Sequence, residues 1–362
     1  MAIDKAQVEN TLAHIIDPYM ESNLVAAGSV KALTIEADQV DIILQLGYPA
    51  IGYAETLKHI VQEAVSALDG VTQVNISVSS QIKSHAVQQN LKPQPGIKNI
   101  IAVASGKGGV GKSTTAVNLA LALQAEGATV GILDADIYGP SIPRMLGCNG
   151  RPDSVDGKSL EPMIGHGIQS MSIGYLIEED TPMIWRGPMV TQALEQLLND
   201  TRWKNIDYLV VDLPPGTGDT QLTLAQKIPV SGAVIVTTPQ DIALLDARKG
   251  LKMFEKVAVP VLGIIENMSM HICSHCGHAE PVFGEGGGAR MAEQYQVNLL
   301  GSLPLDIHIR EQADSGNPTV AAMQDSKISD IYRDIARKTA ARLATQAKDH
   351  SAVFPDIVIQ ND

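Results

Sequence analysis

The sequence is poor in cysteine, in aromatic residues and in long apolar runs. Three cysteines among 362 residues cannot form a disulfide framework, and we expect them to stay reduced. Aromatic residues make up only 4%, which favours a core of aliphatic side chains. No run approaches the roughly 18 apolar residues of a membrane-spanning helix, and residues 1–20 lack the basic start and apolar stretch of a secretory signal. These absences predict a cytoplasmic protein that does not cross or bind a membrane.

Positive charge is also scarce. The chain has 27 Lys and Arg against 40 Asp and Glu, a net charge of −13. This balance argues against nucleic acid or an anionic membrane surface as the main partner. The length and a hydrophobic share of 44% are enough for about two domains with a sizeable core.

Residues 1–80 predict a small α+β domain with the order α-β-β-α-β. Its first helix would bury Val8, Leu12, Ile15 and Ile16 on one face. Strands at 30–37 and 40–46, a helix at 56–68 and a strand at 71–78 follow. The polar, proline-containing stretch 81–97 then has the composition of a linker.

Residues 98–347 alternate between apolar strands and helices. The strands are predicted at 100–104, 129–133, 208–211, 233–236, 261–265 and 299–300, and the main helices at 113–125, 190–198, 221–228, 241–257, 289–296 and 328–346. This pattern is typical of an α/β fold, a mostly parallel sheet with helices on both faces. Residues 348–362 read as a flexible tail.

The strongest motif is the segment Gly106-Lys107-Gly108-Gly109-Val110-Gly111-Lys112-Ser113-Thr114. It fits the phosphate-loop pattern, follows a predicted strand and opens a predicted helix. Backbone N–H groups of such a loop and the helix dipole bind phosphate. Lys112 would reach the β- and γ-phosphates, and Ser113 would bind Mg²⁺. Lys107 is unusual, and with it the segment resembles the deviant Walker A loop of the MinD, nitrogenase-iron-protein and ParA superfamily, whose corresponding lysine reaches the partner subunit's nucleotide.

Acidic residues follow two predicted strands. Asp134 and Asp136 come after strand 129–133, and Asp212 after strand 208–211. Ligands of open α/β sheets bind at these carboxyl ends. We assign Asp212 and Asp134, with Ser113, to the magnesium shell and Asp136 to orienting the attacking water.

The base of the nucleotide is predicted to be adenine. The sequence has no N-K-x-D element of the kind that reads guanine. Asn267, after strand 261–265, matches in position the adenine-contacting asparagine of the resembled superfamily. An ordinary turn asparagine is the competing interpretation.

A second chemical motif is the C-x-x-C formed by Cys273 and Cys276, with His271, His275 and His278 close by. Two thiolates cannot complete a four-ligand site alone. The spacing leaves four readings open: a zinc site that recruits His271 or His278, a redox dithiol, a [4Fe-4S] cluster shared by two chains, or an inert pair.

From Lys98 to about Ala347 the chain resembles the Mrp/ApbC/NBP35 family of P-loop iron–sulfur carrier proteins. The resemblance rests on the phosphate loop, segments 134–141 and 212–219, the sequence Glu266-Asn267-Met268-Ser269, the C-x-x-C and the glycines at 286–288. It implies a slow ATPase that uses ATP and Mg²⁺. It further implies a homodimer that holds a labile [4Fe-4S] cluster on Cys273 and Cys276 and passes it to apo iron–sulfur proteins, with assembly scaffold proteins as further partners. Ser274, where many members have proline, is a departure.

Residues 1–80 resemble the MIP18/DUF59 domain that bacterial members of this family often carry. Stand-alone members often have a cysteine after the second strand, whereas this chain has Pro49-Ala50-Ile51-Gly52 there. We therefore expect a docking role for this domain. Cys148 lies in neither motif and is predicted to be a small buried side chain.

Two other functions compete with this interpretation. A positioning ATPase of the MinD or ParA kind would use the basic residues of the last helix to bind a membrane or nucleoid. An electron donor like the nitrogenase iron protein would couple a reducible cluster to ATP turnover. The net negative charge and the loop that carries Cys273 and Cys276, called the cysteine loop below, argue against the positioning ATPase.

Overall fold

The computed structural model of the protein describes residues 3–177, 187–273 and 275–346. The predicted tail 348–362 and Ser274 lie outside these residues. None of the described helices is long and apolar enough to cross a membrane.

The N-terminal unit combines two helices with a three-stranded sheet of order β3-β4-β5. In chain order its elements are α1 (Lys5–His14), β1 (Ile16–Asp17), β2 (Ser22–Asn23), β3 (Val30–Glu36), β4 (Gln39–Leu46), α2 (Ile51–Ser66) and β5 (Gln73–Ser80). Strands β3 and β4 are antiparallel, and β4 and β5 are parallel because α2 crosses between them.

Two predictions for this unit are wrong. Helix α1 ends at His14, so Ile15 and Ile16 are not helical; Ile16 lies in β1 and is 66% exposed. Helix α2 begins at Ile51, five residues earlier than predicted. The Ile51 amide, in the first turn, donates to the Glu126 carbonyl, so a distant part of the chain satisfies an N–H group at the start of the helix.

The larger unit is a P-loop-type α/β fold, which confirms the predicted fold class. Its strands are β6 (Ile97–Ala104), β7 (Val130–Asp134), β8 (Met163–Gly165), β9 (Ile168–Ser172), β10 (Ile206–Asp212), β11 (Gly232–Thr237), β12 (Val261–Glu266), β13 (His271–Ile272), β14 (Ala279–Glu280) and β15 (Leu299–Ser302). Its helices are α3 (Lys112–Ala125), α4 (Ile142–Met145), α5 (Gly187–Asp200), α6 (Asp219–Lys227), α7 (Asp241–Lys256), α8 (Gly287–Tyr295), α9 (Ile307–Asp314), α10 (Thr319–Ala322) and α11 (Lys327–Ala344).

Eight of these strands form one sheet in the order β15-β12-β11-β6-β10-β7-β9-β8. All neighbours are parallel except β8, which pairs antiparallel with β9. Helices α3 and α11 cover one face, and α5 to α8 cover the other. Strands β8 and β9 were not predicted, because Gln169, Ser170 and Ser172 interrupt the apolar pattern of β9 although all five of its residues are buried.

The N-terminal unit packs against the end of α3. The buried carboxylate of Glu126, which follows α3, accepts hydrogen bonds from the Gly52 amide at 2.9 Å and from Arg337 of α11 at 2.7 Å. The Ile51 amide donates to the Glu126 carbonyl at 3.2 Å. Burial raises the pKa of Glu126, and Arg337 partly offsets this increase. One hydrophobic cluster therefore continues from this unit into the α3 face of the large sheet.

The segment between the two units is fixed to the larger one. The Gln88 side chain donates to the Ala225 carbonyl at 2.7 Å and accepts from the Val230 amide at 3.0 Å. His85 is buried, and its amide donates to Asn99 of β6 at 3.1 Å. The segment 81–97 therefore has the composition of a linker but is bound to the larger unit by specific hydrogen bonds.

Candidate functional site

The phosphate loop connects β6, at the centre of the sheet, to the first turn of α3. Gly109 and Gly111 have φ values of 82° and 81°, a left-handed conformation that favours glycine. A Cβ at Gly106 would lie 2.2 Å from the carbonyl carbon of Asp246 in α7, so the loop can approach that helix only with glycine there. The Ser105 hydroxyl donates to the Lys107 carbonyl at 2.9 Å. The loop thus has its strand, its turn and its helix where the motif predicts them.

Lys112 forms a buried ion pair with Asp212. Its Nζ lies 2.5 Å from Asp212 Oδ1 and donates to the Ser113 hydroxyl at 3.2 Å. Lys112 is 6% exposed and Asp212 is fully buried, yet Oδ2 of Asp212 has no hydrogen-bond partner within the described residues. A buried carboxylate oxygen without a donor is costly unless a cation or water satisfies it. The pair of Ser113 and Asp212 therefore fits an oxygen-bound divalent cation such as Mg²⁺.

Asp134 lies beside Asp212, since the two residues are partners in the register of β7 and β10. Its carboxylate accepts hydrogen bonds from the amides of Asp136, Ser141 and Ile142 and from the Ser172 hydroxyl, at 3.0–3.2 Å. Burial and the nearby Asp212 raise the pKa of Asp134 to about 7. Asp134 thus holds the loop that carries Asp136 in place.

Asp136 is half-buried between this loop and the phosphate loop. Burial raises the pKa of its carboxyl, and Lys112 opposes the shift. Tyr138, two residues further on, is 61% exposed and marks the open side of the site. Its role in orienting the attacking water stays a prediction.

A turn that contains Gly216 follows Asp212. Gly216 has a φ of 104°, and its amide donates to the Ser105 carbonyl at 2.9 Å. The Gln221 side chain donates to the Pro215 carbonyl at 2.7 Å. The loop 213–218 therefore touches the phosphate loop directly and leads into α6.

Asn267 braces the phosphate loop from the next strand but one. Its side-chain amide donates to the Val110 carbonyl at 2.9 Å, and its Oδ1 accepts from the Met268 amide at 2.9 Å. A Cβ on Gly111 would clash with Asn267 at 2.2 Å. In this conformation both ends of the side chain are engaged within the protein, so the predicted adenine contact stays a prediction.

The C-x-x-C lies at the tip of a hairpin formed by β13 and β14. The Cys273 amide donates to the His278 carbonyl at 2.9 Å, and the Gly277 amide donates to the Cys273 carbonyl at 2.9 Å. Cys276 is exposed and Cys273 is partly exposed. The backbone N–H groups of Cys276 and His275, aimed at the Cys273 thiol, lower its pKa. Both thiols are thus presented at the surface in a form suited to binding metal.

No group of three or more His, Cys, Asp and Glu that could hold a metal is formed within the described part of the chain. His271 points its Nδ1 at the Leu305 carbonyl, 3.3 Å away. The described residues therefore do not supply a third ligand for the zinc site of the first hypothesis. Cys148 is partly buried, and burial raises the pKa of its thiol.

Two supporting residues were missed by the sequence analysis. Ser172, in the unpredicted strand β9, donates to Asp134 at 3.0 Å. Glu266 is 3% exposed and accepts a short hydrogen bond from the Gly288 amide at the start of α8. The position of Glu266, at the end of a predicted strand and directly before Asn267, could have been noticed in the sequence. The role of Ser172 could not, because it depends on the order of the strands in the sheet.

A phosphate loop on the central strand, a buried lysine–aspartate pair and an acidic loop on the neighbouring strand define a P-loop nucleotide-binding protein. Known proteins that are similar to this chain agree. A model of the NUBPL iron-transfer P-loop NTPase family matches residues 96–340, and a model of iron–sulfur cluster assembly proteins matches residues 5–78. The chain therefore belongs to the family of iron-transfer P-loop NTPases.

Individual relatives match most of the chain. An iron–sulfur cluster carrier protein of Escherichia coli (strain K12) is 53% identical over 348 residues, which cover 95% of this chain and 94% of the relative. The mouse iron–sulfur cluster transfer protein NUBPL is 50% identical over 266 residues, covering 73% of this chain and 83% of NUBPL. A solved nucleotide-binding protein of Archaeoglobus fulgidus in complex with ADP is 37% identical, with a TM-score of 0.56, and covers 64% of this chain and 90% of that one.

Proposed function

We propose that the protein is an ATP-hydrolysing carrier that holds a labile [4Fe-4S] cluster between two copies of the chain and transfers it to apo iron–sulfur proteins. The observation that carries this proposal is the pairing of one complete site with one half-site. A single chain supplies the phosphate loop and the acidic residues beside it, but only two thiols in its C-x-x-C for a cluster that needs four ligands. Cytoplasmic clients and assembly scaffold proteins are the partners that this activity requires.

The nucleotide is held by the loop 106–114. The amides of Gly108 to Thr114 and the N-terminus of α3 bind the phosphates, and Lys112 exchanges Asp212 for the β- and γ-phosphates when ATP enters. Ser113 and Asp212 would hold Mg²⁺, which would supply positive charge beside the phosphates. Asp134, whose oxygens accept four hydrogen bonds, adds negative charge to the magnesium shell and fixes the adjoining loop.

Hydrolysis depends on Asp136 and Lys107. Asp136 orients the attacking water, and Lys107 of one subunit stabilises the transition-state charge at its partner's nucleotide. Lys107 is only partly buried, so its side chain is available to a second chain. Asn267 turns its side-chain amide from the Val110 carbonyl to the adenine when the nucleotide binds.

The cluster is cargo, and its exposure is functional. Cys273 and Cys276 lie on a short hairpin, where incoming thiolates of a client can replace them. The lowered pKa of Cys273 favours the thiolate that binds iron. Movement of the loop 213–218 on hydrolysis would change how the two subunits face each other, and hence how tightly the cluster is held.

Anaerobic reconstitution with iron and sulfide tests the proposal. We expect about four iron and four sulfide per two chains, visible charge-transfer absorbance and a dimeric native mass. Cys276→Ala should lose the absorbance, and Cys148→Ala should keep it as the matched control. Full absorbance in Cys276→Ala, or a cluster on a monomer, would refute the shared site.

A further inference from the structure

A groove between α6 and α7 is lined by none of the residues assigned above to binding the nucleotide, the magnesium ion or the cluster. It has a volume of about 490 Å³ and is open to the surface. Leu222 of α6 and Met253 of α7 supply apolar contacts, and Arg248, Lys249, Lys252 and Lys256 supply four positive charges. Asp219 is the one acidic residue that lines it. A protein of net charge −13 thus carries a locally basic groove.

The basic side chains follow one face of α7. Arg248, Lys252 and Lys256 are spaced four residues apart, which places them on neighbouring turns of the same helical face. Their charges are only partly neutralised locally. Lys252 pairs with Glu255 at 2.8 Å on the exposed surface, and exposed pairs of this kind contribute little.

Arg248 and Lys256 carry the argument furthest. Neither forms an ion pair with any residue in the described part of the chain. Nε of Arg248 is buried and has no hydrogen-bond partner there. Arg248 lines the groove and is only partly buried, so its charge is available to an incoming acceptor.

The composition of the groove selects the class of ligand. Single-stranded nucleic acid is held by stacking on aromatic side chains, and none of the described residues that line the groove is aromatic. The apolar floor of Leu222 and Met253 would remain uncovered by an inorganic anion. Carboxylates on a polypeptide, with an aliphatic side chain between them, would satisfy both the charge and the floor.

The groove also borders the nucleotide site. Thr217 and Gly218, at the end of the loop that follows Asp212, line one wall. The other wall is α7, whose residues Asp246 and Ala247 contact Gly106 of the phosphate loop. A ligand in the groove would therefore touch the two segments that enclose the phosphates.

We propose that the groove between α6 and α7 docks an acidic segment of a partner protein, with an aliphatic side chain of that segment against Leu222 and Met253. The inference rests on the charge and shape of the groove and does not depend on cluster binding. It identifies a second surface, away from the cysteine hairpin, through which a partner is selected.

Fluorescence anisotropy with a labelled twelve-residue peptide of Glu-Glu-Leu repeats tests the docking site on the full-length protein without cluster. The double variant Arg248→Ala/Lys256→Ala removes the two cations that have no ion pair. We expect its affinity for the peptide to fall about tenfold, in line with loss of one to two charge-assisted contacts. The matched control Lys5→Ala/Lys158→Ala makes the same change in net charge at exposed sites outside the groove and should bind as the wild type does.

Three further probes distinguish the occupants. A Glu-Glu-Ser peptide should bind more weakly than the leucine peptide, a Lys-Lys-Leu peptide should not bind, and a labelled single-stranded oligonucleotide of equal length should bind more weakly than the acidic leucine peptide. Equal affinity of the groove variant and its control would overturn the proposal, as would an oligonucleotide that binds as tightly as the peptide. Unchanged thermal unfolding of both variants shows that the comparison is made on folded protein.

Discussion

The phosphate loop and the cysteine loop differ in how much of their surroundings one chain provides. The phosphate loop follows β6 of the eight-stranded sheet, and the cysteine loop joins β13 and β14 of a separate two-stranded sheet. Each contains glycine in a left-handed conformation. The phosphate loop is enclosed by α7, by the loop after Asp212 and by Asn267. The cysteine loop projects on two strands of two residues each, and Ile272 beside it is 55% exposed.

This contrast follows from what each loop binds. A nucleotide site must hold several charges in fixed positions, which only a preorganised, buried set of contacts achieves. A carrier must release its cargo, and release requires that other molecules reach the ligands. The phosphate site is therefore enclosed by neighbouring segments, and the pair of cysteines is exposed.

The largest test of the contrast removes the buried charge of the phosphate site. Lys112→Ala should weaken ATP binding about a hundredfold, since hydrogen bonds to charged groups contribute roughly 1.5–3 kcal/mol each. Lys107→Ala should bind ATP as the wild type does but hydrolyse it far more slowly, because we propose that Lys107 acts at the partner's nucleotide. Calorimetric titration and phosphate release measure the two effects. Equal loss of binding in both variants would show that the two lysines share one role.

Glycine substitutions compare the two loops directly. Gly106→Ala drives a methyl group into the backbone of Asp246 and should lower the free energy of unfolding by about 3 kcal/mol. Gly277→Ala, at a φ of 71° with open space around it, should cost only about 1 kcal/mol. Gly108→Ala also has open space around its Cβ and should change stability by less than about 0.5 kcal/mol.

Urea unfolding of the three alanine variants measures this order. If Gly277→Ala proved as destabilising as Gly106→Ala, the cysteine loop would be as constrained as the phosphate loop, and the contrast would fail.

Thiol reactivity sharpens the contrast at the half-site. Cys273, whose pKa is lowered by two backbone amides, should react with iodoacetamide at neutral pH about tenfold faster than Cys148, whose pKa is raised by burial. Peptide mass spectrometry of cluster-free protein under argon gives both rates, and Cys273→Ser confirms the assignment. Faster modification of Cys148 would contradict the proposed presentation of the cysteine loop.

The smallest expected effect concerns Glu126, at the far end of the helix that begins in the phosphate loop. A carboxyl whose pKa is raised on folding binds its proton more tightly in the folded state, so stability falls as the pH rises above its ordinary value of 4.5. Glu126→Gln removes this titration and can keep the hydrogen bond to the Gly52 amide. We expect the variant to gain stability relative to the wild type as the pH rises above 4.5.

Unfolding titrations at several pH values check the sign for Glu126. A wild type that gained stability over the variant as the pH rose would show that Arg337 outweighs burial at this carboxylate.

Periodicity and motif spacing predicted most of the large unit. The long apolar strands and the amphipathic helices have strong periods, so β6, β10, β12, α3 and α7 lie within a few residues of their predicted positions. The phosphate loop was predictable because glycines, lysine and hydroxyl group must follow one another in sequence to surround a phosphate. Strand β9 was not, because its buried Gln169, Ser170 and Ser172 are polar and are satisfied only by neighbouring strands and loops.

The sequence by itself determined the chemical groups of this protein: a loop for phosphate, acids at strand ends and two thiols in place of four. Only the tertiary structure decided which residues these groups pair with. It pairs Lys112 with Asp212, engages Asp134 in four hydrogen bonds and turns Asn267 onto Val110. Such pairings join residues up to 157 positions apart. Strand order and burial bring these residues together, and local sequence carries no signal for contacts at that distance.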